Sequence, residues 1–238
     1  MCGRFSATDP VALMRRFPGF RFPAGLSPRY NVAPTQPILA VRNDGSNAVV
    51  SMRWGLVLAA GEPGVKPLSM INARAESLAE RPAHRGLLKR QRCAIFADGF
   101  YEWCKTGSKS VPMYVRRRDG APFAFAGLFE VGRDGALRDS ATIVTCRANE
   151  LVAPIHDRMP VILADAAMAE WLRPGELPVG AAEAILAPPD SQAMSAHAVS
   201  NAVNKASYDA PDCIAPATEP AQLELLGATE SPPDRRRS

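Results

Sequence analysis

The residues with the most distinctive chemistry are the first two, Met1 and Cys2. Initiator methionine is normally removed when the second residue is small, which leaves Cys2 with a free α-amine and a thiol on adjacent carbons. This 1,2-aminothiol forms an imine with an aldehyde, and the thiol then adds to the imine carbon to close a five-membered thiazolidine ring. The alternative is a small buried hydrophobic residue whose thiol is never used. Cys2 is therefore a candidate nucleophile for a carbonyl substrate.

Three further polar residues stand where a strand would favour an apolar side chain. Asn72 follows a Met-Ile pair, Glu102 stands between Tyr101 and Trp103, and His156 follows Pro-Ile. A carboxylate between two aromatic side chains is expected to be partly desolvated, which raises its pKa toward the range useful for general acid–base catalysis. The alternatives are that Glu102 pairs with an arginine and that His156 is a buried histidine with satisfied hydrogen bonds.

Short strands dominate the elements that must position these residues. Runs of β-branched and aromatic residues between turn signals predict strands at 38–41, 49–54, 93–103, 111–115, 123–131, 141–146 and 159–163. Several strands in succession with few helices between them predict an α+β, single-domain fold: a curved, largely antiparallel sheet or open β-barrel flanked by short helices. We expect the domain to span residues 1–208 and residues 209–238 to form a flexible tail.

Helical spacing is confined to short segments, predicted at 10–17, 164–172 and 182–186. In the first of them Val11, Leu13 and Met14 are expected to face inward. Residues 29–35 look too irregular to form an element. The helices are therefore expected to cover a β-rich core rather than to build it.

Composition is that of an ordinary globular protein, with 238 residues, 47% hydrophobic and 22% charged. No apolar run is long enough to span a membrane and no leader precedes the chain, which favours a cytoplasmic location. The five cysteines include no C-x-x-C pair and the three histidines stand alone, so neither a metal nor another cofactor is expected. The net charge of +4 is compatible with a polyanionic partner without requiring one.

A basic segment occupies residues 81–92, where five arginines or lysines occur without an acidic residue. Spacing of four places Arg81, Arg85 and Lys89 on one helical face. Such a face is either solvated or directed at nucleic acid.

Six segments form an ordered set of motifs: Met1–Phe5, Tyr30–Pro34, Trp54–Leu56, Ile71–Glu76, Ala97–Trp103 and Ile155–Val161. Together they resemble the SRAP family, the SOS-response-associated peptidases, whose members are described as abasic-site processing proteins. The resemblance runs from residue 1 to about Asn204. It implies a protein that binds single-stranded DNA and forms a covalent thiazolidine crosslink with the ring-opened deoxyribose of an abasic site.

The resemblance also implies roles for the four polar residues. Cys2 is the nucleophile, its amine giving a Schiff base and its sulfur closing the ring. Asn72 orients the N-terminal residue, Glu102 transfers protons among amine, thiol and sugar oxygen, and His156 assists opening of the sugar ring. Because the reference pKa of an α-amine is about 8, a modest lowering of this pKa leaves the amine neutral and nucleophilic at cellular pH. No metal is then needed to activate it.

For DNA binding, the resemblance implies that Arg4, Arg74 and Arg81 contact backbone phosphates and that Asn31 and Thr145 lie near Cys2 and the DNA. The expected partner is single-stranded DNA containing abasic sites, bound by a monomer at the nucleoid and away from any membrane. The net positive charge fits this use.

The chain departs from bacterial relatives in the loop after Gly55. Those relatives carry tryptophans there that stack on bases, whereas residues 56–62 of this chain read LVLAAGE. Stacking contributes on the order of 1–3 kcal/mol per base. The mode of DNA bending is therefore open, while the aminothiol chemistry is unaffected.

Two other functions fit the same residues. In an N-terminal-nucleophile hydrolase the Cys2 thiol would attack an amide with its own amine as the base, and removal of Met1 could be self-catalysed. A non-catalytic single-strand binder would use only the basic face. Imine chemistry at C1′ also makes strand cleavage by β-elimination a plausible side activity of the crosslinking protein.

Overall fold

The computed structural model describes residues 2–57, 69–132 and 139–217. Its strands are β1 (Arg4–Ala7), β2 (Arg29–Val32), β3 (Pro37–Arg42), β4 (Val49–Trp54), β5 (Leu56–Val57), β6 (Ser69–Met70), β7 (Asn72–Arg74), β8 (Arg92–Ala97), β9 (Gly99–Thr106), β10 (Lys109–Arg117), β11 (Phe123–Glu130), β12 (Ser140–Arg147), β13 (Arg158–Pro160) and β14 (Met194–Ala198). Its α-helices are α1 (Pro10–Arg16), α2 (Pro82–Arg90), α3 (Asp165–Trp171) and α4 (Val179–Ile185). The predicted α+β class is confirmed. The single strand predicted at 93–103 is instead two strands, β8 and β9, with Asp98 between them.

Five strands form a closed circuit in the order β11, β8, β3, β4 and β12, because β12 also pairs with β11. All neighbours are antiparallel except β4 and β12, which run parallel. Every residue of β8 is buried, as expected for a strand covered on both faces. The sequence predicted a curved sheet or open barrel, and the additional pairing of β11 with β12 closes this circuit.

A second, antiparallel sheet has the order β14, β10, β9, β1 and β2 and carries the amino-terminal end of the chain. Phe5 of β1 packs this sheet against the closed five-stranded circuit, here called the barrel. Its ring centroid lies 5.2 Å from that of Trp54 and 5.6 Å from that of Phe125. Because Phe5 is only 1% exposed, the strand that follows Cys2 is anchored in the core.

Two short strands flank the end of β12. Strand β7 runs parallel to it, with Arg74 opposite Thr145, and β13 runs antiparallel on its other side, with Pro160 opposite Thr145. Asn72 begins β7, and His156 lies two residues before β13. The barrel thus brings segments that are distant in sequence to the two sides of one strand.

Two local predictions are wrong. Residues 29–32 form strand β2, because an irregular sequence is ordered there by pairing with β1. In α1 only Leu13 is buried, whereas Val11 is 51% and Met14 42% exposed. Because successive residues of an α-helix are about 100° apart, Val11 and Leu13 lie on nearly opposite faces and cannot both be buried against one surface.

Arg92 does not belong to the exposed basic face, since it is completely buried in β8. Its guanidinium donates to the carbonyl oxygens of Leu88 and Lys89 at the end of α2. It also donates to those of Trp171, Arg173 and Gly175 at and beyond the end of α3. This side chain therefore caps two helices at once, using carbonyl groups left unpaired at helix ends.

The carboxy-terminal boundary also differs from expectation. Residues 209–217, predicted to begin a flexible tail, contact the domain: Asp209 pairs with Arg29, Cys213 is completely buried, and the Ala217 amide donates to Ala198. Strand β14 was not predicted. Residues 218–238, and residues 58–62 of the loop after Gly55, lie outside the described residues. Among the described residues, no helix has the length and apolar character needed to cross a membrane.

Candidate active site at the amino-terminal cysteine

Cys2 lies immediately before β1 and is completely buried. Its thiol lies 3.7 Å from the carbonyl oxygen of Arg4, to which it donates a hydrogen bond. Burial raises the pKa of this thiol, and the negative charge of Glu102 raises it further. The sulfur is therefore protonated at neutral pH, and any reaction in which it forms a bond needs a group to accept its proton.

Asn72 holds the backbone of Cys2. Its side-chain amide donates to the carbonyl oxygen of Cys2 at 2.8 Å. Its carbonyl oxygen, Oδ1, is buried and accepts no hydrogen bond from the described residues. This contact holds the Asn72 amide against the backbone of Cys2.

Glu102 lies in β9 and is 1% exposed. Strand β1 runs antiparallel to β9 with Arg4 opposite Tyr101, so the chain end leads past Glu102. Burial raises the pKa of Glu102 to about 7. The desolvation expected from the sequence is confirmed. At neutral pH both protonation states are populated, as general acid–base catalysis requires.

His156 is partly buried, and its Nδ1 lies 3.0 Å from the Arg158 amide nitrogen and 2.8 Å from the Asp157 carboxylate. Nδ1 offers one in-plane position, so the neutral ring accepts from the amide and the protonated ring donates to Asp157. Burial lowers the pKa of His156. The neutral form, with its proton on Nε2, is therefore favoured.

Electrostatic interactions connect Glu102 to the other groups. Its negative charge raises the pKa of the Cys2 thiol, and the charge of Asp157, next to His156 in sequence, raises the pKa of Glu102. Asn72 joins them through its hydrogen bond to Cys2. These interactions link the segments that carry the four residues proposed from sequence as catalytic. Within the described residues, no three His, Cys, Asp or Glu side chains are grouped as metal ligands would be.

Two residues that sequence reasoning left without a role connect the sides of this site. Arg158 donates to both oxygens of Glu76, at 2.8 and 2.9 Å, and to the carbonyl oxygen of Thr145 at 2.6 Å. The guanidinium thus crosses β12 and ties the segment after Asn72 to the segment after His156. Glu76 and Arg158 both belong to the motifs described above, Ile71–Glu76 and Ile155–Val161. Membership in these motifs was the sequence signal that could have identified them.

The residues expected to bind DNA fall into two groups. Asn31 and Thr145 are completely buried, and Arg4 donates to Asn31 Oδ1 at 2.8 Å and to the carbonyl oxygen of Val203 at 2.6 Å. Burial lowers the pKa of Arg4. These three residues make internal contacts, which favours supporting roles over direct contact with DNA.

Arg74 and Arg81 are exposed. Residues 72 and 74 of a strand point to the same face, and Ala73 between them is 2% exposed, on the core side. Arg74 therefore extends the face that carries Asn72. Arg81 precedes α2, on which Arg85 is also exposed.

Comparison with known proteins bears on this arrangement. The family model described as "SOS response associated peptidase (SRAP)" matches residues 1–206. The chain belongs to the SRAP family. The resemblance carried by the six motifs is thereby confirmed.

Relatives within the SRAP family span most of this chain. It is 44% identical over 212 residues to "Abasic site processing protein YoaM" of Bacillus subtilis, covering 86% of this chain and 93% of the relative. It is 30% identical over 263 residues to "Abasic site processing protein HMCES" of Gallus gallus, covering 91% and 78%. An X-ray structure of a Bacteroides thetaiotaomicron protein has a TM-score of 0.79 and 23% identity, covering 91% of this chain and 100% of that one. This last likeness concerns the fold alone.

Proposed function

We propose that this SRAP-family chain processes abasic sites in single-stranded DNA. After removal of Met1, Cys2 would form a thiazolidine crosslink with the ring-opened abasic deoxyribose and so shield the lesion. The single observation that carries the proposal is the position of Cys2, held by Asn72 beside a buried Glu102 whose pKa is about 7. The names of the relatives, which process abasic sites, support the same substrate.

The reaction needs two bonds to carbon and the release of one water. The Cys2 amine attacks C1′ of the aldehyde, and the resulting hydroxyl leaves as water with a proton from Glu102. The Cys2 sulfur then adds to C1′ of the protonated imine, while the thiol proton passes to the Glu102 carboxylate and restores the acid. A carboxyl with a pKa of about 7 can donate in the first step and accept in the second.

His156 would act earlier, when the closed sugar opens to the aldehyde. Its neutral ring carries the proton on Nε2, because Nδ1 accepts from the Arg158 amide. Nε2 can therefore donate toward the ring oxygen of the sugar as its bond to C1′ breaks. Arg74 and Arg81, both exposed, would contact phosphates beside the lesion, while Arg4, Asn31 and Thr145 would support the site from within.

Imine formation has a further consequence for the DNA. A protonated imine at C1′ acidifies the neighbouring C2′ hydrogen, and loss of that proton breaks the strand by β-elimination. Addition of the Cys2 sulfur removes the imine and so competes with cleavage. A Cys2→Ser protein, which retains the α-amine but has a poorer nucleophile, is expected to cleave more and crosslink less than the wild type.

The test uses protein whose loss of Met1 has been verified by intact mass. Incubation with single-stranded DNA bearing one abasic site, followed by denaturation, should give a stable adduct with the mass of protein plus DNA less one water. Cys2→Ala should give none, while Cys93→Ala, at a buried cysteine of β8, should match the wild type. Equal crosslinking by Cys2→Ala would refute the proposal.

The same preparation separates the crosslinker from a hydrolase. Acetylation of the α-amine abolishes thiazolidine formation because the nitrogen can no longer form an imine. An N-terminal-nucleophile hydrolase would instead show an acyl adduct on sulfur with a peptide or amide substrate. A non-catalytic binder would give only complexes that dissociate in denaturant.

A further inference from the structure

A segment at the end of the family match, extending past it, lies against the strands that carry the active site. Residues 201–213, here called the C-terminal strap, contact β1, β2 and β9. Val203 and Cys213 of the strap are completely buried, and Asn204 accepts a hydrogen bond from the Trp103 indole at 2.7 Å. Its second half, from residue 207, lies past the segment matched to the SRAP model.

The strap meets β2 at a bulge. Phe5 pairs with Val32 and Ala7 with Arg29, so two residues of β2, Tyr30 and Asn31, lie opposite one residue of β1. A bulge leaves backbone groups without partners in the ladder. Here one carboxylate accepts the hydrogen bonds of the two backbone amides at the bulge.

That carboxylate is Asp209. One oxygen, Oδ1, accepts from the amides of Tyr30 and Asn31 at 2.5 and 3.0 Å, and the other accepts from Arg29 Nε at 2.6 Å. Its side chain is 26% exposed. Burial would raise the pKa of Asp209, but the hydrogen bonds from Arg29 and Tyr30 hold it below its usual value. The carboxylate is therefore ionised at neutral pH.

The bulge directs the Asn31 side chain into the strap. Its amide nitrogen lies within 2.7 to 3.2 Å of the carbonyl oxygens of Val203, Lys205 and Tyr208. Its oxygen accepts from Arg4 at 2.8 Å. The contacts therefore run from the strap through Asn31 to Arg4.

Arg4 completes the connection to the reactive group. Its guanidinium also donates to Val203 and Asn204 carbonyl oxygens of the strap, and its own carbonyl oxygen accepts from the Cys2 thiol. Cys2 precedes it by two residues. The position of the thiol is thus coupled to the strap through β1.

We infer that Asp209 is a positioning residue for the Cys2 site: by holding the β2 bulge it fixes Asn31, Arg4 and hence the end of the chain. This inference rests on the proposed function of Cys2 and deepens it. Misplacement of a reacting atom by about 1 Å can reduce a rate by on the order of 100-fold. Release of the bulge is expected to lower the crosslinking rate at saturating DNA by about tenfold. The DNA concentration at half-saturation is expected to change less than about twofold, because the Asp209 carboxylate is engaged by Arg29 and the backbone of β2.

The test compares Asp209→Ala with Asp212→Asn. Asp212 lies in the same strap and is exposed, and its carboxylate accepts a hydrogen bond from the Tyr208 hydroxyl. Its replacement therefore controls for the loss of a negative charge in the strap. Asp209→Glu keeps the charge but lengthens the side chain, and it serves where Asp209→Ala is poorly folded. Rates are expressed per folded molecule, from circular dichroism. A wild-type rate in either folded Asp209 variant would overturn the inference.

A second readout is independent of DNA. Iodoacetamide labelling followed by peptide mass spectrometry reports the exposure of Cys2, and that of Cys213 reports detachment of the strap. We expect both thiols to react at least about threefold faster in Asp209→Ala and unchanged in Asp212→Asn. Faster labelling of Cys213 with unchanged Cys2 would overturn the inference. Failure of the wild type to crosslink would instead refute the proposed function, while the labelling result would still decide the role of Asp209.

Discussion

Replacement of Glu102 by glutamine should make the protein more stable and less active at the same time. Burial raises the pKa of Glu102 from its ordinary value of 4.5 to about 7. The folded protein therefore binds a proton that the unfolded chain releases, and wild-type stability falls as the pH rises through this window. Glutamine resembles the protonated carboxyl in shape and does not ionise.

The magnitude follows from the two pKa values. One pKa unit corresponds to about 1.4 kcal/mol, so the full penalty for ionising Glu102 in the folded state is about 3 kcal/mol. At pH 5 the folded carboxyl is almost fully protonated, and at pH 7.5 it is mostly ionised. About 2 kcal/mol of the penalty therefore develops between these two pH values.

The assay is urea unfolding of wild type and Glu102→Gln at pH 5 and pH 7.5. The free energy of unfolding of the variant, relative to that of wild type, should be about 2 kcal/mol larger at pH 7.5 than at pH 5. Comparing the two pH values removes any pH-independent cost of the amide. Glu183→Gln, at an exposed position of α4, controls for the charge change. Crosslinking by Glu102→Gln should fall, because the amide cannot transfer protons. A stability difference that stays constant from pH 5 to pH 7.5 would refute the view that Glu102 is held protonated by burial.

Two further predictions concern arginines that look alike in the sequence. Arg92→Met should lower the free energy of unfolding, measured by urea titration, by more than about 3 kcal/mol, because buried carbonyl groups lose their donor. Arg92→Lys should recover part of this free energy. A loss below about 1 kcal/mol in Arg92→Met would contradict the capping role. Arg74→Gln and Arg81→Gln should each weaken binding to single-stranded DNA and reduce the slope of log affinity against log salt by about one. Arg173→Gln, at a residue that follows α3 and pairs with Glu170, should leave the slope unchanged.

The chemistry of the site could be predicted from local sequence. An aminothiol at the chain end is a covalent property of Cys2 and needs no fold to define it. The raised pKa of Glu102 was also predictable, because its neighbours Tyr101 and Trp103 indicate a desolvated strand. The order of the motifs then assigned the family. Each of these features is encoded within a few consecutive residues.

The partners of the polar side chains could not be predicted in this way. Arg4 and Arg92 are both arginines beside apolar runs, yet Arg4 bonds to Val203, 199 residues away in sequence, and Arg92 caps α2 and α3. Local patterns carry no information about such pairs, because a buried polar group takes whatever complementary group the fold brings to it.

Asp209 shows the same limit at the end of the chain. Its sequence surroundings, rich in polar and proline residues, predicted a flexible tail, since too little apolar surface is available locally to order it. The structure orders it through the bulge of β2, whose unpaired amides require an acceptor. The sequence by itself determined which atoms can react at Cys2, and the tertiary structure decided what holds them in place, because long-range hydrogen bonds exist only after the strands have paired.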